Sequence, residues 1–308
     1  MAASVWELHC HGGRVVAQAL LAALSQQGCR IVDWNEACRL TGESAIATAA
    51  RQILANARTA RVALVALDQW HGALADAIAS IIAAMDAGGA LQADARLAAL
   101  LARSNFGLHL GDPWRVVLAG RPNVGKSSLM NALLGFERAI VFDQPGTTRD
   151  VVTAQTAVDG LPVALSDTAG LRPAGDAIEQ QGVALARAQA ATADLLLFVE
   201  DASATPTADD AVLAAEYPNA TIVLNKVDVA SRPWEASERL VPVSAKTGEG
   251  IADLVRHISR RLAPDPPGPG EAAPFTAAQC TSLAEARRLL RSESNAPAAR
   301  AVLAALLQ

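Results

Sequence analysis

The chain has 308 residues, of which 51% are hydrophobic and only 4% aromatic, and its formal net charge is −5. This length allows two domains with separate cores, while the negative charge excludes a global basic surface, so any contact with RNA would need a local patch or a partner. No apolar run is long enough to cross a bilayer and nothing after Met1 resembles a signal peptide, so we expect a cytoplasmic protein with no membrane partner.

Residues 1–40 are predicted to form a strand, a helix and a second strand. The stretch "SVWELHC" is extended, "RVVAQALLAALSQQG" has helical periodicity and ends at Gly28, and "CRIVDW" is extended again. The "HCH" of His9–His11 is a weak zinc signal, because in a strand Cys10 would point away from the two histidines and no CxxC pair completes the set. Ordinary packing or hydrogen bonding is the better interpretation.

Residues 41–111 are rich in alanine, leucine and arginine, which favours a helical domain packed through small side chains. We expect two or three helices between Gly42 and Phe106. The "GDP" of Gly111–Pro113 marks a domain boundary.

Strands and helices alternate through residues 112–263, which predicts an α/β fold with a mostly parallel six-stranded sheet. A hairpin around Asp159–Gly160 interrupts the alternation. Residues 264–275 are a predicted Pro/Gly linker, and residues 276–308 a C-terminal helical tail whose basic residues we interpret as a solvated face.

The stretch "GRPNVGKSS" follows an apolar strand and opens a helix, which is the context of a phosphate-binding P-loop. Backbone N–H groups and the positive helix end would cradle phosphates, Lys126 would reach the β and γ oxygens, and Ser127 would ligate Mg²⁺. The candidate phosphate-binding residues are Asn123, Val124, Gly125, Lys126, Ser127 and Ser128. Further along, "DTAG" ends a strand, so that Asp167 can hold the Mg²⁺ shell and Gly170 can offer an N–H to the γ-phosphate, with Thr168 and Ala169 between them.

The "NKVD" of Asn225–Asp228 indicates which base is bound. The Asp228 carboxylate only accepts hydrogen bonds, so it can take the N1–H and the 2-amino group of guanine, whereas adenine offers no donor there. Asn225 and Lys226 belong to the same motif, and "SAK", Ser244, Ala245 and Lys246, supplies a backbone N–H for the guanine oxygen. The sequence therefore predicts a GTP site.

The motifs "GRPNVGKSS", "PGTTRD", "DTAGLR", "NKVD" and "SAKTGEGI" resemble those of translation-associated bacterial GTPases. "ELHCHGG" followed by a helix, and the Ala-rich helical segment before the G domain, narrow the resemblance to the tRNA-modification GTPase family MnmE, also called TrmE. The resemblance implies a Ras-like P-loop GTPase domain, an α-helical domain and a remnant α+β N-terminal segment of the folate-binding type.

The resemblance also implies the hydrolytic machinery. Leu171 stands where Ras-like enzymes carry the glutamine that orients water; in the family a potassium ion and a glutamate, here Glu179, compensate. Potassium would be held by Asn123 and by a loop that includes Phe142, Gln144 and Thr147, although the family has a hydroxyl residue at the position of Phe142. Thr148 would complete the Mg²⁺ shell. Glu7 matches a folate-contacting glutamate, and a solvated carboxylate is the plain alternative for Glu179.

The chain departs from the family elsewhere. It ends "AARAVLAALLQ" without the family's C-terminal cysteine motif, roughly the first half of the N-terminal domain has no counterpart, and a folate-contacting lysine stretch is missing between Arg39 and Ala45. The resemblance implies a homodimer and two further partners, an MnmG-like flavoprotein and tRNA. Two alternatives stay open: a GTP-dependent switch with negligible turnover, and a ribosome-assembly GTPase of the Era or Der type.

Overall fold

A computed structural model describes residues 6–10, 13–136, 153–167, 192–206, 215, 217–230, 233–234, 237–292 and 295–308. Within these residues no helix is long and apolar enough to cross a membrane.

The first part of the described chain contains two helices, α1 (Arg14–Gln26) and α2 (Trp34–Leu40). The predicted helix is confirmed, but the two predicted strands are wrong, because residues 6–10 and 29–33 have no regular structure. A strand needs a hydrogen-bonding neighbour, and none of the described residues pairs with these stretches. No residue of α1 is buried.

Five helices follow where two or three were predicted: α3 (Ala45–Ala55), α4 (Ala60–Trp70), α5 (Ala73–Asp86), α6 (Ala90–Ala102) and α7 (Ser104–Leu108). The extra boundaries come from local signals that the Ala-rich composition obscures. The hydroxyls of Ser44 and Thr59 accept the N–H groups of Ala47 and Val62, which caps α3 and α4. Gly72, in the left-handed region with φ 110°, separates α4 from α5.

The sheet has six strands in the order β2-β3-β1-β4-β5-β6. Only β2 runs antiparallel to its neighbour. This confirms the predicted mostly parallel α/β sheet. The strands are β1 (Trp114–Ala119), β2 (Thr153–Val158), β3 (Leu161–Asp167), β4 (Leu195–Asp201), β5 (Thr221–Asn225) and β6 (Leu240–Pro242).

The predicted hairpin is confirmed at the turn between β2 and β3. Asp159 and Gly160 both have positive φ, 51° and 73°, as a two-residue hairpin turn requires. Thr59 Oγ1 donates to Gly160 O at 2.7 Å and Arg61 donates to Asp159 O at 3.0 Å, so α4 is joined to the sheet at this turn.

Helices α8 (Lys126–Phe136) and α9 (Ile251–Leu262) cover the sheet, and Val227–Val229 form a 3₁₀ turn after β5. Buried side chains of the helices and of one face of the sheet form a continuous core, which includes Leu74, Ile78, Leu97, Val116, Leu118, Leu129, Leu165, Leu197 and Ile258. A smaller, separate cluster on the other face contains Val117, Leu196, Phe198 and Ala220.

Residues 264–275 contain no helix or strand, but they are fixed to α4. The buried side chain of Gln69 donates to Glu271 O at 3.0 Å and accepts from Ala273 N at 3.2 Å, and Asp68 accepts from Gly270 N at 2.8 Å. The second half of the segment is therefore anchored to α4.

The last two helices, α10 (Ala277–Leu290) and α11 (Ala296–Leu306), pack on α5 and α6. Hydrogen bonds from Arg291 and Arg287 hold the pKa of the Asp94 carboxyl below its usual value, and Arg300 does the same for Asp86. These arginines neutralise the carboxylates of Asp86 and Asp94. We call α3–α7 together with α10 and α11 the helical layer, which is therefore assembled from two separated stretches of the chain. The division into domains stays a prediction.

Candidate nucleotide-binding site

The loop between β1 and α8 has the backbone conformation that its glycines allow. Gly120 and Gly125 have φ of 141° and 95°. A Cβ at Gly120 would lie 2.4 Å from Val199 O, and one at Gly125 would lie 2.3 Å from Asn225 Nδ2. Asn123, also at positive φ (64°), completes the bend that brings the loop back to the start of α8.

Lys126 lies across this loop with its side chain buried. Its Nζ donates to Gly120 O at 2.9 Å and to Arg121 O at 2.7 Å. A phosphate seated in the loop would offer the ammonium charged oxygens in place of these neutral carbonyls. The lysine is thus positioned at the point where its predicted partner would lie.

Ser127 and Asp167, both predicted to hold magnesium, are brought together from different elements. Ser127 lies in the first turn of α8, and Asp167 ends β3, which pairs with β1. Ser127 Oγ donates to Asp167 Oδ2 at 2.9 Å, and Asp167 is only 5% exposed. A hydroxyl and a carboxylate are hard oxygen donors of the kind that Mg²⁺ prefers, so the pair fits the predicted metal.

Asn225 joins the phosphate side of the site to the base side. Its side chain is 2% exposed. Its Nδ2 donates to Val124 O at 2.9 Å, and its Oδ1 accepts from Ala245 N at 3.0 Å. One side chain thus ties the phosphate loop, β5 and the "SAK" loop into a single surface.

Lys226 is fixed over the phosphate loop by two partners. Its Nζ donates to Asn123 O at 2.8 Å and pairs with Asp201 Oδ2 at 2.6 Å. Burial alone would raise the pKa of Asp201, but hydrogen bonds from Lys226 and Ser203 hold it below its usual value. The sequence interpretation missed Asp201. Its position at the carboxyl end of β4, next to the end of β5, was the signal that could have found it.

The Asp228 carboxylate lies at the exposed rim of the base side. Its Oδ1 accepts from Ser244 Oγ at 2.7 Å, and Ser244 Oγ in turn accepts from Thr247 N at 3.1 Å. Buried Ser244 therefore fixes one oxygen of the Asp228 carboxylate. Lys246 follows on the exposed side of the same loop.

Two further predicted site residues, Ser128 and Glu7, lie in the described part of the chain. Ser128 lies exposed on α8, and Glu7 is exposed in residues 6–10, where its carboxylate lies 3.5 Å from His9 Nε2. No cluster of three or more metal-ligating side chains occurs in the described part of the chain. Eight predicted residues lie outside the described residues: Phe142, Gln144, Thr147, Thr148, Thr168, Ala169, Gly170 and Glu179.

Taken together, the phosphate loop on a parallel sheet of this order and the base-side residues define a P-loop GTPase. A family model described as a 50S ribosome-binding GTPase matches residues 115–226. The tRNA modification GTPase MnmE of Synechococcus sp. (strain JA-3-3Ab) is 36% identical over 322 residues, covering 93% of this chain and 70% of that protein. The MnmE of Paramagnetospirillum magneticum is 38% identical over 293 residues, covering 83% of this chain and 65% of that protein.

The chain belongs to the MnmE family of tRNA modification GTPases, and it is a GTPase. It spans about two thirds of the length of these relatives. Among solved structures, Aquifex aeolicus Era Y63A bound to GDP·AlF₄⁻ is 26% identical over 53% of this chain and 59% of that one, with a TM-score of 0.37. A superposition this partial adds nothing to the family assignment.

Proposed function

We propose that this chain binds GTP with Mg²⁺ at the loop between β1 and α8, hydrolyses it with the help of K⁺, and serves tRNA wobble-uridine modification. The observation that carries the proposal is the buried Asn225 side chain. It connects the Val124 carbonyl of the phosphate loop to the Ala245 N–H of the base loop, so the two halves of a guanine nucleotide site are held in one frame.

Base selection rests on Asp228. The carboxylate presents acceptors only, and the Ser244 hydroxyl holds it in place from one side. Guanine satisfies it with two donors, while adenine would leave it unpaired once the base has displaced water, a mismatch that costs about 1–3 kcal/mol or more for a charged group.

On the phosphate side, Lys126 would exchange its two carbonyl partners for phosphate oxygens, and it is our candidate for stabilising the charge that develops in hydrolysis. Ser127 and Asp167, together with Thr148, would hold Mg²⁺. When bound, the ion neutralises negative charge on the phosphates.

Asn123 is our candidate potassium ligand, with the loop containing Phe142, Gln144 and Thr147. The backbone carbonyl of Asn123 is occupied by Lys226 Nζ at 2.8 Å, whereas its side chain is exposed. The side-chain amide oxygen is therefore the group that this residue would offer to K⁺. When bound, the ion supplies positive charge where other GTPases place an arginine.

Glu179 is our candidate for positioning the attacking water, since Leu171 cannot accept a hydrogen bond. Its replacement by alanine should leave GTP affinity nearly unchanged and lower single-turnover hydrolysis by about 10²–10⁴-fold, the usual worth of a positioned acid–base group. Asp176→Ala, three residues earlier, is the matched control. A wild-type rate for Glu179→Ala would favour a switch with negligible turnover.

The potassium proposal is tested with the same assay in KCl and in NaCl at equal ionic strength. An arginine finger is worth about 10³–10⁵ in rate, and we expect K⁺ to supply a good part of that factor. Equal rates in the two salts would remove potassium from the mechanism.

The tRNA role is tested in bacteria that lack their own family member. Expression of this chain should restore the modified wobble uridine, measured by mass spectrometry of tRNA nucleosides, and Lys126→Ala should not. A homodimer and an MnmG-like flavoprotein are the partners proposed with this role. Active GTP turnover without restored modification would contradict the tRNA role and leave GTP hydrolysis in place.

A further inference from the structure

Three arginines lie near the amino-terminal ends of β5 and β6, at the opposite end of the sheet from the nucleotide site. Arg260 and Arg261 are in the last turn of α9, and Arg239 immediately precedes β6. We call these three residues the arginine face. Arg260 and Arg261 are exposed and Arg239 is half-buried.

The arginine face is assembled around one short stretch of backbone. Arg261 donates to Asn219 O at 3.0 Å, and Arg239 Nε donates to Ala220 O at 3.3 Å. At the next residue, His257 Nε2 lies 2.9 Å from Thr221 Oγ1. Side chains from two different elements thus converge on three consecutive residues.

The arginine face carries positive charge that no carboxylate among the described residues pairs with. In the described part of the chain, the hydrogen bonds of Arg239, Arg260 and Arg261 go to backbone carbonyls, and none of these arginines pairs with a carboxylate. Burial and then the positive charges of Arg261 and Arg260 lower the pKa of His257. The arginines of α10 and α11 differ, because they pair with Asp86, Asp94 and Glu285.

Stabilisation of the α9 C-terminus explains part of this arrangement. Basic residues in a last helical turn interact favourably with the helix dipole, which accounts for Arg260 and Arg261. It does not account for Arg239, which comes from another element and adds a like charge beside Arg261. Each guanidinium has five N–H donors, and one hydrogen bond to a carbonyl uses a single one of them. Each guanidinium therefore keeps further N–H donors that an anion with several oxygens could accept from.

We propose that the arginine face binds the phosphate backbone of RNA. The inference rests on the proposed tRNA role, which supplies a polyanionic partner, and it adds a surface for that partner outside the nucleotide site. The chain carries a net charge of −5, so a local arginine surface is the means by which it could hold RNA.

The arginine face is separate from the GTP site. Thr221 begins β5 and Asn225 ends it, so the two sites lie at opposite ends of the same strand, about 13 Å apart at 3.3 Å per residue. RNA bound here would not displace the nucleotide.

The test uses a fluorescent tRNA transcript and the full chain, with binding followed by anisotropy over a range of KCl concentrations and with saturating GDP. Wild type should bind with an affinity that falls steeply with salt. The double variant Arg239→Gln/Arg261→Gln should bind at least about 10-fold more weakly at low salt, and the slope of log affinity against log salt should shrink by about 1 for each arginine removed. Arg239→Lys/Arg261→Lys should keep most of the slope.

The matched control is Arg96→Gln/Arg288→Gln. It removes two positive charges as well, but from positions where Arg96 contacts Ser80 and Arg288 pairs with Glu285. It should bind tRNA like wild type. Unchanged GTP turnover and melting temperature in all variants confirm that the fold is intact.

Three results would overturn the proposal: no tRNA binding by wild type, equal binding by the Arg239/Arg261 variant, or an equal loss in the control. Its failure can be told apart from failure of the tRNA role. If wild type restores the wobble nucleoside in cells and the Arg239→Gln/Arg261→Gln variant restores it equally, only the arginine face is refuted. If wild type restores none, the tRNA role itself fails.

Discussion

The nucleotide side of the sheet and the first forty residues both carry residues that match family motifs, strongly in the first case and more weakly in the second, and the two regions differ in how the structure holds those residues. Asn225, Lys226 and Asp228 are each held by hydrogen bonds from other parts of the chain. Glu7, the candidate folate contact, is exposed, and among the described residues its carboxylate pairs with His9 alone. No residue of the adjoining helix α1 is buried.

This difference shows that a sequence motif is better evidence for a binding site when contacts from other parts of the chain hold its side chains in place. The three polar side chains of "NKVD" each have a partner that fixes their direction, and those partners come from the phosphate loop, β4 and the "SAK" loop. Such pre-organisation lowers the cost of binding because the groups do not have to be ordered by the ligand. The segment around Glu7 has the matching residue without that support.

Asn225→Ala should have the largest effect, because it should lower both the GTP affinity and the stability of the nucleotide-binding side. The change leaves the buried Val124 carbonyl and the Ala245 N–H without their partner, which costs about 1–3 kcal/mol for each group. We expect GTP affinity to fall by about 100-fold and the free energy of unfolding to fall by about 2–4 kcal/mol, measured by nucleotide titration and urea denaturation.

Asn56→Ala is the control for this change, because Asn56 also donates its amide to a carbonyl, that of Gln52, but at the surface of the helical layer. It should leave both quantities near their wild-type values. A tight-binding, stable Asn225→Ala variant would show that the bridge does not hold the site together.

His257 gives the nucleotide-bearing sheet a stability that depends on pH. Burial, then Arg261 and Arg260, lower the pKa of His257 in the folded chain, so folding favours the neutral ring. The stabilisation is present above the unfolded pKa of about 6.5 and is lost as pH falls through the lower folded value.

Urea midpoints for wild type and His257→Gln at pH 7.5 and 5.5 test this prediction. Wild type should lose more stability than the variant on acidification, by less than the full one-proton slope of about 1.4 kcal/mol per pH unit. Parallel losses would contradict it.

Glu7→Ala should have the smallest effect. The side chain is exposed and belongs to no buried network, so GTP affinity should be unchanged and stability should stay within about 0.5 kcal/mol. Isothermal titration with GTP and thermal unfolding check both. A fall of several kcal/mol in the free energy of unfolding would mean that residues 6–10 pack against the rest of the chain. It would contradict the difference drawn here between the two regions.

The sequence predicts the fold well where the pattern is local. Short apolar runs separated by helical stretches gave all six strands, and Asp159–Gly160 gave the hairpin. The helical layer was harder, because an Ala-rich stretch shows little contrast between buried and exposed faces, and its boundaries depend on single residues such as Thr59 and Gly72. The packing of α10 and α11 on α5 and α6 depends on long-range contacts that periodicity does not encode.

The candidate site was predictable to the extent that its residues belong to contiguous motifs. Ser127 and Asp167 were expected to share a metal, and the structure places their oxygens 2.9 Å apart. Asp201 was missed because it belongs to no motif and meets Lys226 only through the pairing of β4 with β5. The residues expected to contact potassium and the attacking water, apart from Asn123, lie outside the described residues, and their roles stay predictions.

The most direct test of the account is the nucleotide preference of Asp228→Asn. Wild type should bind GTP far more tightly than ATP or xanthosine triphosphate. The variant exchanges one acceptor oxygen for a donor, so it should lose a few kcal/mol of GTP affinity, about 100-fold or more, and should prefer xanthosine triphosphate. Equal binding of ATP and GTP by wild type, or an unchanged preference for GTP in the variant, would contradict the guanine site on which the whole account depends.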